Sequence, residues 1–198
     1  MIQKGSVQTV LDELSRLALE VGGRLGGEVE EVAALTLKAL EQGHRLFFCG
    51  NGGSAADAQH LAAEYMVRFA RERRALPAVA LTTDTSVLTA GGNDFGFETI
   101  FARQVEALAG EGDILFLHST SGESENLIRA AETAGRLGVL TVAFLAKGGG
   151  RLGGIVDRAL VVPTDSTARA QEIHLALGHA ICQLVEENLS DPGSPSDS

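Results

Sequence analysis

The sequence has few cysteines, few basic residues and no long apolar segment, and each shortage excludes a class of protein. Its two cysteines, Cys49 and Cys182, lie far apart in apolar runs, which favours reduced, buried thiols over a disulfide framework. The longest apolar runs, such as 46–49 and 139–146, are far shorter than the ~20 residues of a membrane-spanning helix. The N-terminus lacks the pattern of a signal peptide. We therefore expect a cytoplasmic protein that makes no membrane contact.

The charge balance argues against a nucleic-acid partner. The 198 residues include 16 Lys and Arg against 26 Asp and Glu, a formal net charge of −10, whereas binding to a phosphate backbone depends on many basic side chains. An anionic ligand must therefore be held by local groups. The one dense basic cluster contains Arg68, Arg71, Arg73 and Arg74, and one of these arginines is a candidate for neutralising a substrate phosphate.

The apolar spacing predicts an α/β fold. Helical periodicity runs over 7–21 and 28–40, and the glycines between them predict an N-terminal helical hairpin. Five short, continuously apolar runs then alternate with helical patterns, which is typical of a parallel sheet covered on both faces. These candidate strands are 45–49, 78–82, 113–118, 140–145 and 159–162.

The expected architecture is a three-layer sandwich around a five-stranded parallel sheet. We predict a single domain over residues 1–189, with N-terminal helices in 1–42 and the α/β core in 43–189. The last helix is expected to begin near Ser166 and Thr167 and to end near Leu189. The polar, Pro-containing segment 190–198 is predicted to be a disordered tail.

Two segments that follow predicted strands have the composition of anion-binding loops. Residues 50–54, Gly-Asn-Gly-Gly-Ser, and residues 119–124, Ser-Thr-Ser-Gly-Glu-Ser, each precede a helix. Glycines let the backbone approach a ligand, and a helix N-terminus offers free N–H groups to an anion. Ser54 and Ser124 could also be ordinary helix caps, but two such loops on one sheet favour a phosphate or polyol site. The glycine spacing matches neither the Walker loop nor the dinucleotide fingerprint.

Two helices carry residues of the types that bind metal ions. His60 and Glu64 lie four residues apart and so share a helix face, while Gln171 and His179 lie eight residues apart on the last helix. Such nitrogen and oxygen donors suit zinc or a similar divalent ion. Hydrogen-bonded structural histidines are the competing interpretation, and the spacing leaves the role of His174 open.

Residues 91–98 are interpreted as a loop because they combine three glycines with an Asn-Asp pair. Asn93 and Asp94 are candidates for hydrogen bonds to sugar hydroxyls. Turn capping is the equally supported alternative.

Taken together, these segments resemble the sugar isomerase (SIS) domain of phosphoheptose isomerases. The similarity is carried by residues 50–60 with Glu64, by 92–97, by 119–122 with Ser124, and by 167–174 with His179, in that order along the chain. It covers residues 1 to about 189. It implies a flavodoxin-like sandwich, a homotetramer with active sites shared between subunits, and one zinc ion per subunit.

The resemblance also implies a reaction and the residues that perform it. The reaction is the ketose–aldose isomerisation of sedoheptulose 7-phosphate to D-glycero-D-manno-heptose 7-phosphate through a cis-enediol, the first step towards the nucleotide-activated heptose of glycans such as lipopolysaccharide. Glu64 and His179 are the implied base and acid. The metal ligands are His60, Glu64, Gln171 and His179. The substrate contacts are Asn51, Gly52, Gly53, Ser54, Glu64, Asn93, Asp94, Ser119, Thr120, Ser121, Ser124 and Gln171.

Two positions depart from the family pattern, and two other functions compete. Glu123 stands where many members have Asn and places a negative charge beside the expected phosphate loop, while Ala168 stands where some have Asp. One alternative is a non-catalytic SIS paralogue that binds the bacterial replication initiator protein. The other is an isomerase or sensor for a different sugar phosphate, because fold alone does not determine function.

Overall fold

The computed structural model describes residues 5–190, which form a five-stranded parallel sheet covered by helices on both faces. The strand order is β2-β1-β3-β4-β5. Each strand lies within about two residues of its predicted position, which confirms the α/β sandwich. The strands are β1 (Leu46–Gly50), β2 (Ala78–Ala80), β3 (Ile114–Ser119), β4 (Leu140–Leu145) and β5 (Arg158–Val161).

Seven helices connect and flank these strands within the described residues. The last helix begins after Ser166, whose hydroxyl accepts a hydrogen bond from the Arg169 backbone N–H. The predicted tail lies outside the described residues, except for Ser190. The helices are α1 (Ser6–Glu41), α2 (Gly53–Met66), α3 (Thr85–Phe95), α4 (Ile100–Leu108), α5 (Glu125–Arg136), α6 (Gly150–Gly153) and α7 (Thr167–Asn188), with a single 3-10 turn at Phe97–Thr99.

Successive strand residues point to opposite faces of the sheet and so build two cores. Phe48 packs with α1, α2 and α7 on one face, whereas Phe47 packs with α4 and α5 on the other. The three central strands, β1, β3 and β4, are buried on both faces, which explains their continuous apolar composition. Cys49 and Cys182 are free and buried, as expected. Burial raises the pKa of the Cys182 thiol to about 12.

The predicted N-terminal hairpin is wrong, because residues 6–41 form one continuous helix. Its inward-facing residues continue at helical spacing through the glycine segment, from Leu17 and Val21 to Leu25 and Val29. Burying this uninterrupted apolar stripe outweighs the helix penalty of about 1 kcal/mol per glycine.

The interpretation of residues 91–98 as a loop is wrong for its first half. Residues 91–95 form the end of α3, and the chain turns only at Gly96, which has a positive φ of 89°. Asp84 caps the start of this helix by accepting a hydrogen bond from the Val87 backbone N–H. A well-capped helix therefore extends through Gly91 and Gly92 despite their low helix propensity.

The strand order places the site. Because β1 lies between β2 and β3, the connection after β1 runs to β2 on one side, and the connection after β3 runs to β4 on the other side. Ligands bind at such switch points, where neighbouring connections run in opposite directions. The loops after β1 and β3 both lie at this carboxyl edge of the sheet. Within residues 5–190, no helix is both long and apolar enough to cross a membrane.

Candidate active site and metal centre

The loop after β1, residues 50–54, contains close approaches at two glycines, and the one at Gly50 is against backbone. A Cβ at Gly50 would collide with the Ser54 backbone carbonyl, and a Cβ at Gly53 would lie 2.5 Å from the Gln171 side-chain amide nitrogen. Gly52 has a φ of 57°. The glycines thus bring the start of α2 against β1 and against α7. Ser54 is buried in the first turn of α2, and its backbone N–H donates to the Asn51 carbonyl.

The loop after β3, residues 119–124, gathers hydroxyl groups at the N-terminus of α5. The Ser119 hydroxyl accepts from the Gly122 backbone N–H at 3.0 Å, and the Ser121 hydroxyl accepts from the Glu123 N–H at 3.2 Å. Each hydroxyl therefore keeps its own O–H for donation to a ligand. Ser124 occupies the cap position of α5 without a capping hydrogen bond from its side chain. The arrangement suits a phosphate at a helix N-terminus.

A reciprocal amide pair joins the two loops. The side-chain amide of Asn51 donates to Asn126, and the amide of Asn126 donates back to Asn51, both at 2.9 Å. Asn126 is buried on the first turn of α5. The pair fixes the spacing of the loops across the switch point. The role of Asn126 could not be predicted from the sequence, because its partner is 75 residues away.

The negative charge of Glu123 is matched by a neighbouring cation. Arg151 donates to the two carboxylate oxygens of Glu123 through its backbone N–H and its Nε, both at 2.9 Å, and it also contacts Glu125. Hydrogen bonds from Arg151 lower the pKa of Glu123. The carboxylate is therefore directed to α6, so the departure from the family pattern does not leave an uncompensated charge at the serine loop.

His60, Glu64 and His179 form a compact triad between α2 and α7. One potential ligand atom from each residue lies within 4.8 Å of those of the other two. The Nε2 atoms of His60 and His179 are 2.8 Å apart, and Nε2 of His60 is 3.2 Å from Oε1 of Glu64. Two imidazoles and a carboxylate are a donor set that zinc uses in catalytic sites, where a fourth position stays open.

The environment of His179 favours its neutral form. Burial lowers its pKa, the neighbouring His60 lowers it further, and Glu64 partly opposes them. A neutral imidazole is the form that binds a metal ion. The ring of Phe69 packs against His179, with 5.5 Å between the ring centroids.

Gln171 contacts the glycine loop. Its side-chain amide lies over Gly53, at the start of α2. The structure brings the other three predicted ligands, His60, Glu64 and His179, together. It places Gln171 at the glycine loop, where its predicted substrate contact is, and its role as a metal ligand stays a prediction.

Asn93 and Asp94 lie outside both loops, on α3. They are exposed on the last turn of α3, where the Asn93 amide donates to the Asp94 carboxylate at 2.7 Å. Among residues 5–190, no hydrogen bond joins either side chain to the two loops or to the triad. Their predicted contact with substrate stays a prediction.

His174, the other histidine on α7, has a structural role, and the arginine cluster contains one buried and three exposed side chains. His174 is buried, and its Nε2 lies 3.0 Å from the Leu145 carbonyl, which makes it a structural link between α7 and β4. Arg73 is buried in an ion pair with Glu186 and is not free to bind a phosphate. Arg68, Arg71 and Arg74 are exposed.

Comparison with known proteins places the chain in one family. The SIS domain profile matches residues 11–146. Phosphoheptose isomerase of Aquifex aeolicus is 49% identical over 187 residues, covering 94% of this chain and 97% of the relative. The Nitratiruptor sp. phosphoheptose isomerase is 54% identical over 154 residues, 78% of this chain and 82% of the relative.

A solved structure agrees with the sequence relatives. Phosphoheptose isomerase from Neisseria gonorrhoeae superposes with a TM-score of 0.87 at 41% identity, covering 91% of this chain and 97% of that chain. The glycine loop, α2 and the serine loop all lie within the residues that the SIS profile matches. The chain belongs to the SIS-domain family and, within it, to the phosphoheptose isomerases.

Proposed function

We propose that this chain converts sedoheptulose 7-phosphate into D-glycero-D-manno-heptose 7-phosphate, as a ketose–aldose isomerase. The observation that carries the proposal is the His60, Glu64 and His179 triad on α2 and α7, in a chain whose two strand-end loops suit an anion. Such a site combines a group that can hold a phosphate with groups that can move protons. The relatives named phosphoheptose isomerase support the choice of substrate.

The substrate phosphate is proposed to bind at the serine loop. Ser119, Thr120, Ser121 and Ser124 surround the N-terminus of α5, where hydroxyl donors and the helix dipole both favour an anion. The sugar would then extend towards Asn51, Gly52 and Gly53, with Ser54 supporting the loop from inside. Gln171 lies over Gly53 and is positioned to contact the sugar there.

The triad is proposed to hold one zinc ion per subunit. His60, Glu64 and His179 fit this ion by donor type and by their mutual distances, and Gln171 is the predicted fourth ligand. A bound zinc ion would act as a Lewis acid that polarises the substrate carbonyl and stabilises charge on its oxygen.

Glu64 and His179 are proposed to move the protons. Glu64 removes a proton from C1 while His179 donates one to O2, so that a C1=C2 double bond replaces the C2=O2 bond. In the second step His179 takes the proton from O1 as the C1 aldehyde forms, and Glu64 returns a proton to C2. The neutral imidazole favoured at His179 has one N–H to donate and one nitrogen lone pair. Because that lone pair can bind either the zinc ion or a proton, His179 is proposed to accept a proton only when the ion has released it.

The enzyme is proposed to act as a homotetramer with sites shared between subunits. Two surfaces support assembly: α3 has no buried residue, and the first half of α1 exposes Val7, Leu11 and Leu19. Sites built by more than one subunit would also allow Asn93 and Asp94 to reach a substrate. The cytoplasmic location, the absence of a nucleic-acid partner and the link to lipopolysaccharide stay predictions from the sequence.

The alternatives predict different results in one experiment. The purified protein is incubated with sedoheptulose 7-phosphate and, separately, with five- and six-carbon ketose phosphates, and aldose formation is followed by proton NMR. We expect the seven-carbon substrate to be turned over most efficiently. Preferred turnover of a shorter sugar would overturn the heptose assignment, and tight binding without turnover would indicate a sensor or a regulatory paralogue. The Arg24→Gln variant, which changes only an exposed side chain on α1, is measured alongside the unsubstituted protein as a control.

A further inference from the structure

We propose that Arg73 and Glu186 are positioning residues that form a buried clamp between α2 and α7 and hold the proposed zinc ligands at their binding distance. The proposal rests on the zinc site proposed above. Both side chains are almost fully buried, with 5% and 4% of their surface exposed. They lie 113 residues apart in the chain and belong to neither anion-binding loop.

Glu186 connects α7 to the segment that follows α2. Its carboxylate accepts hydrogen bonds from the backbone N–H groups of Phe69, Ala70 and Arg71 at 2.8 to 3.1 Å, and from Nε of Arg73 at 3.0 Å. Burial alone would raise the pKa of Glu186, but these donors outweigh burial and lower it. An ionised carboxylate with four donors fixes the path of residues 69–71.

Arg73 connects the same carboxylate to the end of α2. Its guanidinium donates to the backbone carbonyls of Glu64 at 2.7 Å and of Tyr65 at 2.9 Å, both in the last turn of the helix. A cation at a helix C-terminus satisfies carbonyls that lack helical partners. Because Glu64 belongs to the triad, fixing its carbonyl fixes the origin of a ligand side chain.

The clamp also places a ring over the triad. Residues 67–71, here called the strap, are pinned by Glu186, and Phe69 within the strap packs on His179. His179 and Glu186 are seven residues apart, two turns along the same face of α7. One buried pair therefore fixes three features of the site: the end of α2, the face of α7 that carries His179, and the aromatic cover of its imidazole.

A general packing role would predict a different outcome from a positioning role, and a matched control separates them. Asp113, at the amino edge of the sheet, is likewise buried, and its carboxylate accepts backbone N–H groups from Arg45 and Gly110 at 2.8 and 2.9 Å. Asp113→Asn and Glu186→Gln remove the same kind of acceptor from two different places in the fold. Only the second touches the helices of the triad.

The experiment measures the Zn²⁺ dissociation constant of metal-free protein by competition with a chromophoric chelator, alongside urea unfolding. We expect Glu186→Gln to weaken zinc binding about ten- to a hundredfold, as for residues that orient metal ligands. Asp113→Asn should lower the unfolding midpoint while leaving zinc affinity within about twofold. Arg73→Lys keeps the charge but loses the fork of hydrogen bonds, so it should also weaken zinc binding.

The possible results lead to separate conclusions. Equal zinc affinities in Glu186→Gln and Asp113→Asn would overturn the clamp. If Glu186→Gln does not fold, the same criterion applies to Arg73→Lys and to Phe69→Leu in the partly exposed strap. If the unsubstituted protein binds zinc no more tightly than His60→Ala does, the metal site in the proposed function fails, whatever the clamp variants show.

Discussion

The two edges of the sheet use polar groups in opposite ways. At the amino edge, the carboxylates of Asp113 and Asp157 accept hydrogen bonds from neighbouring groups, with Asp157 accepting both the backbone N–H and the hydroxyl of Thr141. At the carboxyl edge, the hydroxyls of the serine loop keep donors free. Between α2 and α7, the three side chains of the triad face one another. Both edges consist of turns between the same strands and helices.

This difference separates groups that stabilise the fold from groups that serve a ligand. A buried carboxylate that accepts backbone N–H groups replaces the hydrogen bonds lost with water. Three ligand-type atoms within 4.8 Å of one another, by contrast, gain most when a cation or substrate joins them. We therefore expect substitutions in the serine loop and the triad to change turnover, and substitutions of the amino-edge carboxylates to change stability.

The largest expected effect is in the triad, from Glu64→Gln. The amide cannot remove the proton from C1, so turnover should fall by about 10²–10⁴, the typical contribution of a positioned acid or base. Exchange of the substrate C1 hydrogen with deuterated solvent, followed by NMR, should be lost as well. Near-normal exchange in this variant would exclude Glu64 as the base.

At the amino edge, Asp113→Asn should have the opposite profile. One acceptor is replaced by an amide donor that faces backbone N–H groups, which should lower the free energy of unfolding by about 1–3 kcal/mol. The ratio kcat/KM should be unchanged. Urea unfolding and steady-state kinetics on the same preparation provide the comparison, and a loss of turnover without a loss of stability would contradict it.

Beneath the carboxyl edge, His118 should make the protein sensitive to acid. Its imidazole lies between Phe48 and Phe144 with no hydrogen-bond partner for either nitrogen, and burial lowers its pKa to about 3. Since the unfolded chain has a histidine pKa near 6.5, protons bind the unfolded state more strongly, and stability falls as pH drops from about 6.5 towards 3.

Replacing His118 by Phe tests this contribution. The pH dependence of the unfolding free energy should become shallower, with about 2 kcal/mol less destabilisation at pH 5 relative to pH 7.5. Urea unfolding of both proteins at the two pH values measures the difference. Identical pH dependence in the two proteins would show that His118 is already paired in solution.

The smallest effect is expected in α1, which belongs to neither edge. Gly22 and Gly27 are exposed in the interior of this helix, and a Cβ at either would meet nothing within 4 Å. Gly22→Ala and Gly27→Ala should each stabilise the fold by about 1 kcal/mol. Destabilisation, measured by urea unfolding, would show that a partner subunit packs closely on this segment.

The sequence predicted the sheet and the last helix well because their signals are local. Continuous apolar runs mark strands that are buried on both faces, and Ser166 marks the start of α7. It failed at Gly22–Gly27 and at residues 91–95, where glycine propensity competed with packing or capping that extends the helix. The low helix propensity of glycine does disfavour a helix at these positions, but its free-energy cost is smaller than the gain from packing or capping.

The metal centre was predictable from the sequence only where its residues lie at a regular spacing on one helix. His60 and Glu64 could be paired because they are four residues apart, whereas their meeting with His179 depends on how α2 packs against α7. The same packing places the Gln171 side chain against Gly53. The Asn51–Asn126 pair and the Arg73–Glu186 clamp join residues 75 and 113 positions apart, so a single sequence carries no pattern for them.

The most direct test of the account is a proton NMR time course of sedoheptulose 7-phosphate with the purified protein, after chelation and after zinc is restored. For a zinc-dependent isomerase, we expect aldoheptose anomeric signals that chelation abolishes and zinc restores. Aldoheptose formation at an unchanged rate in verified metal-free protein would contradict the role of the triad as an essential zinc site. Absence of these signals from folded, zinc-loaded protein would contradict the isomerase itself.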